Sequence, residues 1–159
     1  MVSFAKTMSL ASYAKPAREL INQNTRAVLS TISDQWFPYA SMVDYAPFED
    51  GDLLLLLSHL AEHTRYLSVN PKCSLLVAPH LYDTDGFSKA RVTVVGEVEQ
   101  LSRSDTLAQL FLKYHPRASA YMVMNDFRFF RFVPESARYI GGFGRMAWIT
   151  QDDYRAALG

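Results

Sequence analysis

The chain has 159 residues, with 16 basic and 16 acidic side chains and a formal net charge of zero. That balance argues against a nucleic-acid binder, whose phosphate contacts usually bring a basic excess, and no apolar stretch approaches a membrane span. Hydrophobic residues make up 49% and aromatics 13%, rich for one domain of this size, which points to a buried subunit interface or a flat ligand.

The N-terminal segment MVSFAKTMSLASYAKPAREL lacks a continuous apolar core and a clean cleavage site. It does not read as a signal peptide, and a cytoplasmic location is expected. Residues 9–21 read as an opening helix despite Pro16, with Ala17, Leu20 and Ile21 on its apolar face. RAVLSTI at 26–32 alternates like a strand, Ser33 to Trp36 is turn-like, and PYASMV at 38–43 starts a second strand, so the two form a hairpin. Glu49 to Asp52 makes the next turn. Leu53 to Leu57 is apolar without alternation, as in a strand buried on both faces, and ends at Ser58. Residues 61–69 then read as a short helix, stopped before Pro71.

Residues 73–78 form another apolar strand. Its Cys73, the only cysteine, cannot make an internal disulfide; it reads as a small buried hydrophobe in a reducing compartment. Residues 80–88 are polar and loop-like, whereas ARVTVVGEVEQ at 90–100 alternates strongly, with Gly96 marking a bulge or a close backbone approach. Ser102 or Ser104 caps a helix reaching Tyr114, and Pro116 opens another whose apolar stripe runs over 118–124. FRFFRFV at 127–133 is a strand with Arg128 and Arg131 on different faces. A turn at Pro134-Glu135 precedes more strand at 138–140, the glycines at 141, 142 and 144 let the chain turn sharply, and 152–158 make a last short helix. Antiparallel strands with few helices and no regular strand–helix alternation predict a mainly β (α+β) fold. The architecture expected is a closed or partly open β-barrel with short helices attached, one domain over 1–159 with its core at about 17–149.

The densest chemistry lies at 58–65. A strand ending in the Ser58 hydroxyl feeds a helix whose first turn holds His63, Thr64 and Arg65, beside free backbone N–H groups. That suits an anion; the plainer alternative is a solvated helix face. His59 and His63 are four apart, the spacing of a metal pair on one helical face, but no downstream His/Glu cluster completes a site and no metal is expected. The serines lack a nucleophile-elbow context and the glycines lack a dinucleotide fingerprint. Arg91, opening a buried-looking strand, is a surface residue or one that reaches a ligand across an interface.

Seven segments together carry a resemblance: RAVLST (26–31), PYAS (38–41), LLLLSHLAEHTRYLSVNP (54–71), ARVTVVGEVE (90–99), HPRASAY (115–121), DFRFFRF (126–132) and YIGGFGRMAW (139–148). The chain resembles the pyridoxamine 5′-phosphate oxidase-like FMN-binding split-barrel proteins, and among them the branch related to haem-utilisation proteins. The resemblance implies a homodimeric split β-barrel holding FMN at the subunit interface. It implies that Arg26 and the backbone of Val28, Leu29 and Ser30 contact the flavin. Ser58, His63, Thr64 and Arg65 would form the phosphate pocket, and Arg91 would reach in from the partner subunit. His63 stands where many relatives carry a phosphate-binding Lys, a weaker and pH-dependent cation. The C-terminal Trp and Arg pattern of true pyridoxamine phosphate oxidases is not matched, so that activity is not expected. The sequence ends at Gly159, ahead of the second domain of many haem-utilisation relatives. FMN-dependent oxidoreduction of an unknown small-molecule substrate is therefore expected first, haem binding or degradation second, and non-catalytic binding third.

Overall fold

The computed structural model describes residues 10–79, 83–85 and 88–157. Seven strands are described: β1 (Arg26–Ile32), β2 (Pro38–Pro47), β3 (Leu53–Ser58), β4 (Lys72–Val77), β5 (Arg91–Leu101), β6 (Phe127–Ile140) and β7 (Met146–Thr150). The helices are α1 (Ala14–Asn22), preceded by a 3-10 turn, α2 (Glu62–Val69), α3 (Asp105–Tyr114), α4 (Ser119–Met122) and α5 (Gln151–Ala156). All strand pairs are antiparallel, in the order β3-β2-β1-β4-β5-β6-β7, and β3 also pairs with β6. That extra pairing closes β1 to β6 into a six-stranded barrel, as expected of a split barrel.

Alternation explains the interior. Ala27, Leu29 and Thr31 of β1, Cys73, Leu75 and Val77 of β4, and Val92 and Val94 of β5 point inward and are buried. Burial pushes the Cys73 thiol up to about 12, so it behaves as the small hydrophobe expected. The leucine run of β3 serves two cores. Leu53, Leu55 and Leu57 fill the barrel, while Leu54 and Leu56 face a second cluster with Phe111, Met122 and Phe129 beneath α3 and α4. A strand without alternation is what a sheet covered on both faces requires.

Several boundaries differ from expectation. β2 runs on to Pro47, past residue 43. The turn expected at Pro134-Glu135 does not exist: β6 is one strand of 14 residues. Pro134 lies opposite Gly96, where the β5–β6 register shifts. A bulge absorbs the proline, which has no N–H to give the ladder. A Cβ at Gly96 would stand 2.2 Å from the Val133 carbonyl oxygen, so only glycine fits there. The first half of β6 pairs with β3 and the second half with β7, a strand not anticipated, while β5 runs along its other side. Ser104 is the α3 cap, accepting from the Leu107 N–H. The start of the expected opening helix at 9, most of the 80–88 loop and the end of the 152–158 helix lie outside the described residues.

α5 is clamped to the turn between β2 and β3. The buried Asp52 carboxylate accepts from Arg131 Nε (2.5 Å) and Arg155 Nη2 (2.8 Å), and Tyr154 donates to the Gly51 carbonyl (3.2 Å). Among the described residues no helix is long and apolar enough to cross a membrane.

Candidate functional site

β2 and β3 pair only from Tyr45–Pro47 to Leu53–Leu55. Beyond that point they diverge, and the opening is the split of the barrel. α2 follows β3 almost at once and seats over the free part of β2. Tyr66 meets the Tyr39 ring edge-on at 5.5 Å, and the Ser41 hydroxyl lies 3.0 Å from His63 Nδ1. The cleft left between β2 and β3 encloses about 260 Å³. Met42, Val43, Leu56, Leu57, Ala61 and Phe127 supply apolar walls, and Asp44, Ser58, His63 and Tyr121 the polar groups.

His63 is half-buried, and loss of water pushes its pKa down, so the imidazole is neutral at pH 7. With Nδ1 engaged by Ser41, Nε2 has no partner among the described residues. Thr64 is buried and its Oγ1 is likewise unpartnered. Arg65 faces outward between two carboxylates: Nη1 donates to Asp34 (2.5 Å), and Nε and Nη2 donate to Glu62 (3.1 and 2.8 Å). These bonds hold the guanidinium pKa above its ordinary value, Asp34 contributing most, and they hold the Glu62 carboxyl below its own. The Ser58 hydroxyl donates to Asp126 Oδ2 (2.8 Å) and accepts from the Leu60 N–H (3.2 Å). His59 lies before α2, not on it; its Nδ1 is 2.9 Å from the Asp126 carbonyl oxygen. The expected single face with His63 is therefore broken, because the helix begins only at Glu62.

The first-strand residues lie elsewhere. Arg26 and Val28 line a separate cavity of about 290 Å³ on the outside of the barrel, with Met42, Leu76 and Pro79. Met42 belongs to both cavities, and Arg26 Nε donates to Asp44 Oδ1 (2.9 Å) at the same junction. Ser30 is outward and half-buried, as is Arg91, opposite Ile140; the Leu29 side chain is in the core. Of the residues singled out from the sequence, Ser58 and His63 line the cleft, Arg26 meets it through Asp44, and Arg65 turns away from it. Ser41, Asp44, Tyr121 and Asp126 were not anticipated as site residues: Ser41, Tyr121 and Asp126 lie in segments that carry the resemblance, but β2, α4 and the turn before β6 bring all four to the cleft from positions remote in sequence.

A phosphate dianion at the start of α2 would meet Glu62 and Asp34 with Arg65 already neutralised, a neutral His63, and a Ser58 proton spent on Asp126. The donor set suits a neutral-nitrogen ligand better. A metal-binding imidazole is uncharged and has its other nitrogen fixed by a hydrogen bond, and His63 has both properties.

The family model described as CREG, beta-barrel matches residues 9–156. The chain is 36% identical over 148 residues to the chloroplastic heme oxygenase HOZ of Arabidopsis thaliana, covering 88% of this chain and 45% of that protein. It is 25% identical over 142 residues to heme oxygenase HutZ of Vibrio cholerae, covering 86% of this chain and 80% of that one. A heme binding protein from Mycobacterium smegmatis superposes with TM-score 0.82 at 29% identity, over 96% of this chain and 62% of that chain. A pyridoxinephosphate oxidase family protein from Clostridium acetobutylicum, TM-score 0.67 at 16% identity over 91% of this chain and 98% of that chain, shows the shared barrel fold. The chain thus spans less than half the length of HOZ, the first of these relatives.

Proposed function

The chain belongs to the CREG β-barrel family, and from that premise we propose that it binds haem at the β2–β3 split, where His63 Nε2 would hold the iron. The observation that carries the reading is His63 itself: neutral through burial, oriented by Ser41, and open at Nε2 in a cleft with apolar side chains on its walls. Two relatives named as heme oxygenases and a structural neighbour named as a heme binding protein support it. This reverses the order drawn from the sequence, where FMN came first. FMN has support only from distant members of the fold, and the phosphate pocket read from the sequence has its cation taken by Asp34 and Glu62.

In this reading each residue has a limited task. Ser41 fixes the imidazole ring, Met42, Leu56, Leu57 and Phe127 exclude water, and Asp44 with Tyr121 supplies polar contacts at one wall. Bound haem supplies the redox chemistry with O₂, given electrons from an external reductant, and haem degradation is the proposed activity. The proposed assembly is a homodimer. One outward row crosses six strands through Met42, Val28, Leu76, Thr93, Arg138 and Trp148, and both of its ends are exposed apolar side chains.

Haem titration of the purified protein tests the reading. A Soret band should appear at one haem per chain. His63→Ala should shift that band and weaken binding by about tenfold or more, and Ser41→Ala should weaken it less. A yellow flavin envelope in the protein as purified, with no haem uptake, would overturn the proposal. Sedimentation of a stable folded monomer at micromolar concentration would remove the dimer.

A further inference from the structure

Along the β5–β6 ladder, acidic residues gather at the bulge in its middle and two arginines gather at its Leu101–Phe129 end. Near the bulge, Glu97, Glu99 and Glu135 line a cavity of about 330 Å³. At the Leu101–Phe129 end, a cavity of about 460 Å³ is lined by Gln100, Leu101, Ser102, Arg103, Asn125, Phe127, Arg128 and Phe129, two cations with no carboxylate among them. Both arginines are held by main-chain oxygens. Arg103 Nη2 donates to the Met122 carbonyl, and Arg128 Nη1 donates to the carbonyls of Asn125 and, at 2.9 Å, Phe127.

These two differ from the arginines that the fold uses for ion pairs. Arg26, Arg65, Arg131 and Arg155 each meet a carboxylate within 3 Å. Among the described residues Arg103 and Arg128 meet none, and each keeps Nε and one terminal nitrogen uncommitted out of five N–H donors. In a chain of zero net charge, two oriented and uncompensated guanidinium groups sharing one cavity form a receptor for an oxyanion. Ser102, Gln100 and Asn125 add neutral donors, and the volume exceeds that of a bare anion, leaving room for an attached organic group.

We propose that Arg103 and Arg128 form a second ligand site, distinct from the haem cleft, that takes a phosphate-bearing small molecule. The two sites share Phe127 but no charged residue. The ligand is a phosphoryl oxyanion because two separately anchored forks can each donate to different oxygens of one tetrahedral group, which a planar carboxylate offers less well.

Calorimetric titration with inorganic phosphate at fixed ionic strength, with acetate as the second arm, tests this. Wild type should bind one phosphate per chain and bind acetate more weakly. Arg103→Gln and Arg128→Gln should each weaken phosphate by about tenfold or more, the cost of one charge-assisted contact. Arg128→Lys, which keeps the charge but loses the fork, should fall between. Circular dichroism of each variant checks that the barrel is intact; if Arg128→Gln fails to fold, Arg103→Gln with Arg128→Lys carries the test. Haem titration of the same variants should be unchanged. Phosphate affinity equal in wild type and variants, or acetate binding as tightly as phosphate, would overturn the site. Haem affinity falling in step with phosphate affinity would overturn its separateness.

Discussion

β3 has two flanks, and they behave differently. Against β6 it pairs along its whole length, Leu53 to Ser58; against β2 it pairs over three residues and then parts. The closed flank is where the barrel gains stability, because Leu53 and Leu55 on one side and Phe132 and Phe130 on the other are buried partners in register. The open flank gives up strand pairing and receives α2 instead, and that exchange creates a cleft with a neutral histidine in it. Nothing in LLLLLS distinguishes the flanks. The difference arises from β2, whose residues 38–42 are largely exposed, and from the short link that brings α2 back over them.

The strongest way to break this contrast is Phe132→Ala on the closed flank. The side chain is fully buried, so the loss should be about 3–5 kcal/mol in a urea or guanidinium titration. His63→Ala should leave the same titration nearly unchanged. If the two substitutions cost the same, the flanks do not divide stability from binding.

Next comes the turn that joins the two flanks. Asp52 is buried and holds both Arg131 of β6 and Arg155 of α5, so Asp52→Ala leaves Arg155 without its carboxylate and Arg131 with Asp50 as its remaining one. Because both arginines are partly solvated, the expected loss is about 1–3 kcal/mol rather than the full cost of a buried pair. Amide hydrogen exchange should show α5 losing protection before the β3–β6 ladder does. Simultaneous loss along both would mean that the clamp is not local.

A smaller effect of opposite sign is expected at the tip of the open side. Trp36 adopts φ +64 in the β1–β2 turn while 81% exposed, a conformation that costs a side chain with a Cβ about 1–2 kcal/mol. Trp36→Gly removes that cost but adds unfolded-state entropy, so a net gain of about 0.5–1 kcal/mol is expected in thermal unfolding. A loss of stability would show that the indole makes contacts the free chain depends on.

The smallest effect is electrostatic and belongs to the open flank alone. Burial lowers the His63 pKa from 6.5, so the unfolded chain takes up a proton more readily than the folded one. Stability should therefore fall as pH drops below about 6.5 and be complete above it. Comparing denaturation midpoints at pH 7.5 and 5.5 in wild type and His63→Gln isolates this contribution, since the variant lacks it. An identical pH slope in the two proteins would show that His63 is solvated.

Local pattern alone determined much of this protein. Alternation over 26–32 and 90–100 located two barrel strands. The unbroken leucines announced a strand covered on both faces, Gly96 a bulge, and one of the two serines before 105 a helix cap. These features repeat every two residues or depend on a neighbour a few positions away, so the sequence displays them directly. Tertiary structure alone decided the rest. Pro134 reads as a turn until its place opposite Gly96 shows a bulge that tolerates it. Arg65 stands in the first turn of a short helix in the sequence, and only the β1–β2 hairpin brings Asp34, 31 residues earlier, against it. Only the folded chain sets His63 against Ser41 and takes water from its ring, which pushes its pKa down. Each of these outcomes depends on which groups meet across strands, and on how much water remains between them. Register and closure set both over the whole chain, and no window of neighbouring residues contains that information.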